Sequence, residues 1–101
     1  GDDFAPPAGF LAQLERIVAA RRGTDPEASY TARLLDRGVK RCAQKVGEEG
    51  VEVALAAAAG DTDEIVGESA DLLYHVLVVL AACDVSLEEV LAELQRRHAA
   101  G

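Results

Sequence analysis

The sequence predicts an all-α fold, a short-loop helical bundle of about four to five helices completed by dimerisation. Three observations predict it. Apolar residues recur at helical spacing and nowhere alternate as a half-buried strand would. A proline-free, alanine-rich run extends from Val39 to Ala59. The breaks between periodic runs are short and carry residues that stop and start helices.

The elements follow in order. GDDFAPPAG, residues 1–9, reads as a flexible N-terminal arm, and residues 10–98 as a single all-α domain. Leu11, Leu14, Ile17 and Val18 place a helix over about 10–22. RRGTDPEAS breaks it, with Gly23 as a stop and Asp25-Pro26 as a turn. YTARLLDRG is a short amphipathic piece ending at Gly38. Val39 to Ala59 reads as one long helix, although Gly47 and Gly50 each cost up to ~1 kcal/mol there relative to alanine. Glycine inside a helix hints at close approach of another backbone. Gly60 ends that helix. Asp61 or Thr62 caps the next, with Asp63 and Glu64 favourable in its first turn. That helix runs to about Cys83. Ser86 and Glu89 have the spacing of a capping box, which opens a last helix from Leu87 to about Arg97 with Leu87, Val90, Leu91 and Leu94 on one face.

Composition bounds the function. A chain of 101 residues makes one small domain. With two Phe, two Tyr, no Trp and no Met, alanine and branched aliphatics must pack the core, so stability is thin and association is expected. The acids number 18 against 10 Lys plus Arg, which argues against a nucleic-acid partner. No run of 18 apolar residues suggests a membrane span, and no secretory signal is seen. The chain opens GDDF without Met, the mark of a processed start or an added remnant. Cys42 and Cys83 lack metal-ligand spacing and read as small buried hydrophobes. A cytoplasmic location is the default.

Two acidic clusters interrupt apolar runs: KVGEEGVE at 45–52 and ESAD at 68–71. At about 100° per residue, Glu48, Glu49 and Glu52 share a stripe with Lys45, and Glu64, Glu68, Asp71 and His75 share another. A charged stripe is usually the solvated side of an amphipathic helix. Here each stripe turns apolar halfway along, as Leu55, Ala56 and Ala59 and as Val78 and Ala82. VLVVLAAC, residues 76–83, has no polar side chain on any face, so a partner chain is expected to cover it.

The short loop at 60–62 sets the two helices antiparallel. Glu52 and Glu49 then lie about 13 and 18 Å from the turn, and Glu68 and Asp71 about 10 and 15 Å. Carboxylates brought together at these heights must bind protons, pair with cations or hold metal. Oxygen-only ligation selects a hard cation, and no calcium-loop pattern is present. Mg²⁺ commonly shares its shell with substrate phosphates. No Walker-type phosphate loop and no HExxH accompany it. The residues alone therefore reach a helical, Mg²⁺-dependent site for a phosphate-bearing substrate.

The pattern Glu48, Glu49, Glu52 followed by Glu68 and Asp71 resembles the metal signature of the all-α, MazG-like nucleoside triphosphate pyrophosphohydrolases. SYTARLL, QKVGEEGVEV, ESADLLYHVLVVL and DVSLEEVLAEL are similar to segments of the phosphoribosyl-ATP pyrophosphohydrolases, and the likeness covers about residues 8–97. It implies hydrolysis of phosphoribosyl-ATP to phosphoribosyl-AMP and pyrophosphate, the second step of histidine biosynthesis. It also implies Mg²⁺, a cytoplasmic homodimer or higher oligomer, and the stand-alone form without a fused cyclohydrolase domain. On this reading Glu49, Glu52, Glu68 and Asp71 hold Mg²⁺ and Glu48 is the general base or a further ligand. Lys45 contacts phosphate oxygens or balances charge. Arg33 and Lys40 bind the ribose 5-phosphate or the triphosphate tail, or else lie on a solvated face. His75 supports a carboxylate by a hydrogen bond. Glu88, Glu89 and Glu93 are surface. Two other readings stay open: a pyrophosphatase of the same superfamily acting on dUTP, dCTP or damaged nucleotides, and a non-catalytic helical dimerisation module.

Overall fold

The computed structural model describes Phe4 and residues 6–99. Residues 1–3 and 5 of the expected arm lie outside the described residues, as do 100 and 101. Pro7–Gly9 form one 3-10 turn that leads into the first helix, and the Phe4 ring sits edge-on to Phe10 with centroids 5.2 Å apart. Five helices follow: α1 (Phe10–Arg21), α2 (Tyr30–Arg37), α3 (Val39–Ala59), α4 (Thr62–Ala82) and α5 (Leu87–His98). No strand occurs among the described residues.

Local chemistry sets the boundaries. Ser29 caps α2, its side chain accepting the Ala32 N–H at 2.9 Å. Gly38 separates α2 from α3 with φ +94°, a conformation that L side chains rarely adopt, so the chain changes direction in a single residue. Gly60 ends α3 in the left-handed region at φ +70°. Asp61 caps α4 by accepting the Glu64 N–H. The capping box is complete in α5: Ser86 Oγ accepts the Glu89 N–H, and the Glu89 carboxylate accepts the Ser86 N–H.

The core joins one residue from each of four helices: Val18, Leu34, Cys42 and Val78, all nearly inaccessible. Leu14, Leu35, Tyr74, Val79, Ala81 and Ala82 pack around them. Val78 corrects one expectation, because it serves the chain's own core rather than a partner's surface. Within 76–83 only Leu77 and Val78 are fully buried, and Cys83 is exposed. Cys42 is the buried cysteine, its Sγ donating to the Leu34 carbonyl at 3.3 Å. Burial, and then the proximity of Cys83, push its thiol up. No atom outside the local helix backbone lies within 4 Å of a Cβ built at Gly47 or Gly50, so neither glycine serves a close helix crossing within this chain.

α4 is the central helix, touching α1, α2 and α3, and its antiparallel pairing with α3 is the most extensive in the molecule. It is also long and apolar enough to cross a membrane by length and composition alone, with a mean hydropathy of 1.6 in its most apolar window. Asp63, Glu64, Glu68, Asp71 and His75 interrupt its apolar sequence. α5 is peripheral. It is tied to α1 by the Leu87 N–H, which donates to the Glu15 carboxylate at 2.6 Å, and only Leu87 of its apolar face is buried. Between α4 and α5, Asp84 is held at φ 58° while Arg22 of the α1 end donates to its carboxylate and to the Ala81 carbonyl, both at 2.6 Å.

The single chain leaves much apolar surface uncovered. Val51, Leu55, Val66, Leu73, Leu91 and Leu94 are exposed. Its accessible surface is 6894 Å², whereas a folded monomer of this mass has about 5,500 Å². The radius of gyration is 14.8 Å, against about 13 Å for a compact chain of this length.

A candidate cation-binding site between α3 and α4

The α3–α4 hairpin brings the two acidic clusters together as the antiparallel count requires. Glu49 of α3 and Glu68 and Asp71 of α4 each offer a carboxylate oxygen, and these oxygens all lie within 4.8 Å of one another. The spacing arises because Glu68 and Asp71 are three apart on one face of α4 while Glu49 stands at the same height on α3. Glu49 and Glu68 are part-buried and Asp71 is exposed. Glu52 is exposed and falls outside this tight group, yet it acts on it. Desolvation first, and then the charges of Glu52, Glu49 and Asp71, raise the Glu68 carboxyl above its ordinary value; a hydrogen bond with Glu49 acts in the same direction. Four acids therefore share one field, and three of them present a set of hard oxygens that could hold a divalent cation.

Lys45 lies one turn earlier on α3. Its Nζ is 3.4 Å from Glu48 and 3.5 Å from Glu49, so it partly neutralises the edge of the cluster. Desolvation opposes its charge, but Tyr30, Glu48 and Glu49 outweigh it and the lysine pKa is raised. Glu48 is not part of the tight group. It accepts from Gln44 at 3.0 Å, and hydrogen bonds from Lys45 and Gln44 hold its carboxyl below the usual range despite some desolvation.

His75 is buried beneath the acids, one turn beyond Asp71. Its Nδ1 lies 2.7 Å from the Asp71 carbonyl and its Nε2 lies 3.2 Å from the Tyr30 hydroxyl. A carbonyl only accepts, so the Nδ1 carries the proton and Nε2 accepts from Tyr30. The contact with Asp71 is thus to its backbone, whereas the sequence suggested a carboxylate. Tyr30, Tyr74 and His75 form a ring cluster, with Tyr74 and His75 edge-on at 4.9 Å, and the Tyr74 hydroxyl bonds to Thr31. This cluster fastens α2 to the helix that carries Glu68 and Asp71. Its members Tyr30, Thr31 and Tyr74 were not singled out in the sequence as site residues, and the cap residue Ser29 just before YTARLL was the available signal that a helix starts there. Arg33 is exposed, with its guanidinium 5.8 Å from the Tyr30 ring centre, and Lys40 is exposed at the start of α3.

Fold and cluster together define a class: an all-helical protein whose central hairpin carries a carboxylate site suited to a hard cation. Comparison with known proteins narrows it. Residues 11–98 match the family model for phosphoribosyl-ATP pyrophosphohydrolase. The chain is 57% identical over 98 residues to the histidine biosynthesis bifunctional protein HisIE of Photobacterium profundum, covering 97% of this chain and 47% of that protein. It is 56% identical over 88 residues to the phosphoribosyl-ATP pyrophosphatase of Dinoroseobacter shibae, covering 87% of this chain and 86% of the relative. The HisIE of Yersinia pestis is 51% identical over 98 residues, covering 94% of this chain and 48% of that protein. The chain belongs to the phosphoribosyl-ATP pyrophosphohydrolase family. It spans about half the length of the bifunctional relatives it matches.

Proposed function

We propose that this chain hydrolyses phosphoribosyl-ATP to phosphoribosyl-AMP and pyrophosphate, in a Mg²⁺-dependent step of histidine biosynthesis. The observation that carries the reading is the convergence of Glu49, Glu68 and Asp71 within 4.8 Å across the α3–α4 hairpin, in a chain of this family. The donor set fits Mg²⁺ rather than a softer ion, because every ligand atom is a carboxylate oxygen. The repulsion that raises Glu68 is what a bound cation relieves.

Glu49, Glu52, Glu68 and Asp71 hold the ion, three of them from the tight group and Glu52 supported by the charge it exerts on Glu68. Mg²⁺, when bound, screens the polyphosphate and lowers the pKa of water. Lys45 orients the phosphate chain. Glu48 acts as the general base. The contacts from Lys45 and Gln44 keep it ionised, hence able to take a proton. His75 is a positioning residue: it fixes the backbone at Asp71 and links it to Tyr30. Arg33 and Lys40 serve the anionic substrate from the α2–α3 corner.

The working form in this reading is a cytoplasmic homodimer, with neither nucleic acid nor membrane as a partner. The surplus of accessible surface over a compact monomer is about 1,400 Å², which exceeds the roughly 800 Å² each partner contributes to a stable interface. Only 17% of the most apolar window of α4 is buried within the chain, so a second copy has apolar surface to cover.

The test is turnover of phosphoribosyl-ATP against dUTP and dCTP, with and without Mg²⁺. Strong preference for phosphoribosyl-ATP supports the reading. Equal or better turnover of a deoxynucleotide would remove it in favour of a broader nucleotide pyrophosphatase.

A further inference from the structure

The corner between α2 and α3 holds a second charged feature, of opposite sign to the first. A hollow of about 120 Å³ is lined by Tyr30, Arg33, Leu34, Arg37 and Arg41. That is too small for a nucleoside, since sites for drug-sized ligands run to about 300 Å³ or more, and it suits a group the size of a phosphate. Three of the ten basic Lys and Arg residues of a chain with net charge −8 meet here. Among the described residues none of the three is in an ion pair, while Arg22, Lys45, Arg96 and Arg97 all are. No carboxylate lines the hollow. Asp36 precedes Arg37 in sequence but faces another depression with Arg22 and Thr24. Lys40 lines no part of it.

The hollow is placed with respect to the acids. Arg41 stands eight residues before Glu49 on the same helix, about 12 Å along its axis, and Lys45 lies midway. Tyr30, which forms one wall, hydrogen-bonds His75 directly below Asp71. A rigid helix and an aromatic cluster thus fix the basic hollow relative to the carboxylate site.

We infer that Arg33, Arg37 and Arg41, with the Tyr30 ring as one wall, bind the phosphate monoester of the substrate's phosphoribosyl group. This inference rests on the functional reading above. Phosphoribosyl-ATP, as its name states, carries a ribosyl phosphate besides its triphosphate. A cation held by the acids serves the triphosphate, so the remaining phosphate needs protein cations of its own. Guanidinium groups match phosphate oxygens with paired N–H donors and stay charged at every working pH. Arg33 rests beside the Tyr30 ring, which restricts it. The hollow therefore determines specificity: a plain nucleoside triphosphate reaches the acids but leaves the arginines empty.

The test uses the full chain and Arg37→Ala, Arg41→Ala and Arg37→Lys variants, with circular dichroism to confirm folding. Ribose 5-phosphate is the probe, its binding followed by calorimetry without turnover. Wild type is expected to bind it, both alanine variants to bind it about ten-fold or more weakly, and Arg37→Lys to recover part of the loss. In parallel, the ratio of kcat/KM for phosphoribosyl-ATP to that for ATP is expected to fall by about the same factor in the alanine variants. Folded alanine variants that bind ribose 5-phosphate as tightly as wild type would overturn the inference. Because binding is read without hydrolysis, a wild type that fails to hydrolyse phosphoribosyl-ATP sinks the functional reading alone, and the calorimetry still judges the hollow.

Discussion

The Tyr30 hydroxyl donates to His75 Nε2 across 3.2 Å, joining residues 45 apart in sequence. This bond orients an imidazole that is almost fully buried, and through its Nδ1 it reaches the backbone of Asp71. Tyr30→Phe leaves Nε2 without a donor. The expected cost is about 1–3 kcal/mol of stability, the usual range for an orphaned buried polar atom. Denaturant titration of the variant against wild type checks it. A change under 0.5 kcal/mol would mean that the bond does not organise the site.

Glu49→Gln and Asp71→Asn each remove a charge from the three-oxygen cluster. Activity is expected to fall at least about 100-fold, some 2.7 kcal/mol of transition-state stabilisation, with Mg²⁺ binding lost. Stability without Mg²⁺ should hold or rise, because repulsion on Glu68 is relieved. Kinetics paired with thermal melts, with and without Mg²⁺, separate loss of the site from loss of fold.

Val78 and Leu73 sit on the same helix but answer to different neighbours. Val78 belongs to the core with Val18, Leu34 and Cys42, whereas Leu73 is half exposed. Val78→Asp places an unpaired charge in the core and is expected to unfold the chain. Leu73→Asp should leave a folded chain and weaken self-association. Sedimentation and circular dichroism on both variants decide; a Leu73→Asp chain that stays fully dimeric would move the interface elsewhere.

The α5 capping box gives a stability and a pH prediction. Ser86→Ala should cost about 1 kcal/mol. Hydrogen bonds from the Ser86 backbone, then its side chain, hold the Glu89 carboxyl below its ordinary value. A lowered folded-state pKa means that its contribution is present above the unfolded carboxylate value and fades as pH falls through the folded one. Melts of wild type and Glu89→Gln should therefore converge in acid and diverge towards neutrality.

Gly47 is exposed in mid-helix with open space around it. Gly47→Ala should stabilise the chain by about 0.8–1 kcal/mol, raising Tm by several degrees in a domain of this size. A destabilised variant would reveal a partner's backbone against that face.

The helices were legible because their ends carry local chemistry. Asp61, Gly60 and the Ser86–Glu89 pair act within four residues, so a reader of the sequence can find them. The meeting of Glu49 with Glu68 and Asp71 was also legible, since a short loop fixes both direction and height. Finer geometry was not. Helical phase places Glu52 on the stripe with Glu49, but only the packed hairpin shows that Glu49, Glu68 and Asp71 bring carboxylate oxygens within 4.8 Å while the Glu52 charge also acts on Glu68. The Tyr30–His75 bond and the arginine hollow depend on how α2 turns at Gly38 and packs on α4, contacts for which no local pattern exists. Val78 misled for a related reason: an apolar segment shows that it needs cover, but not which chain supplies it.

The carboxylates that meet at the site span only 49–71, within one hairpin closed by the turn at Gly60 and Asp61. Assembly of the site is therefore a short-range event in folding, and contacts of low sequence separation form early. It also makes the count along α4 a register device. One residue inserted in α4 between Thr62 and Glu68 would turn Glu68 and Asp71 by about 100° about the helix axis and slide them by about 1.5 Å, away from Glu49. The meeting of the two halves of the site is thus written in the number of helical residues between the turn and each acid.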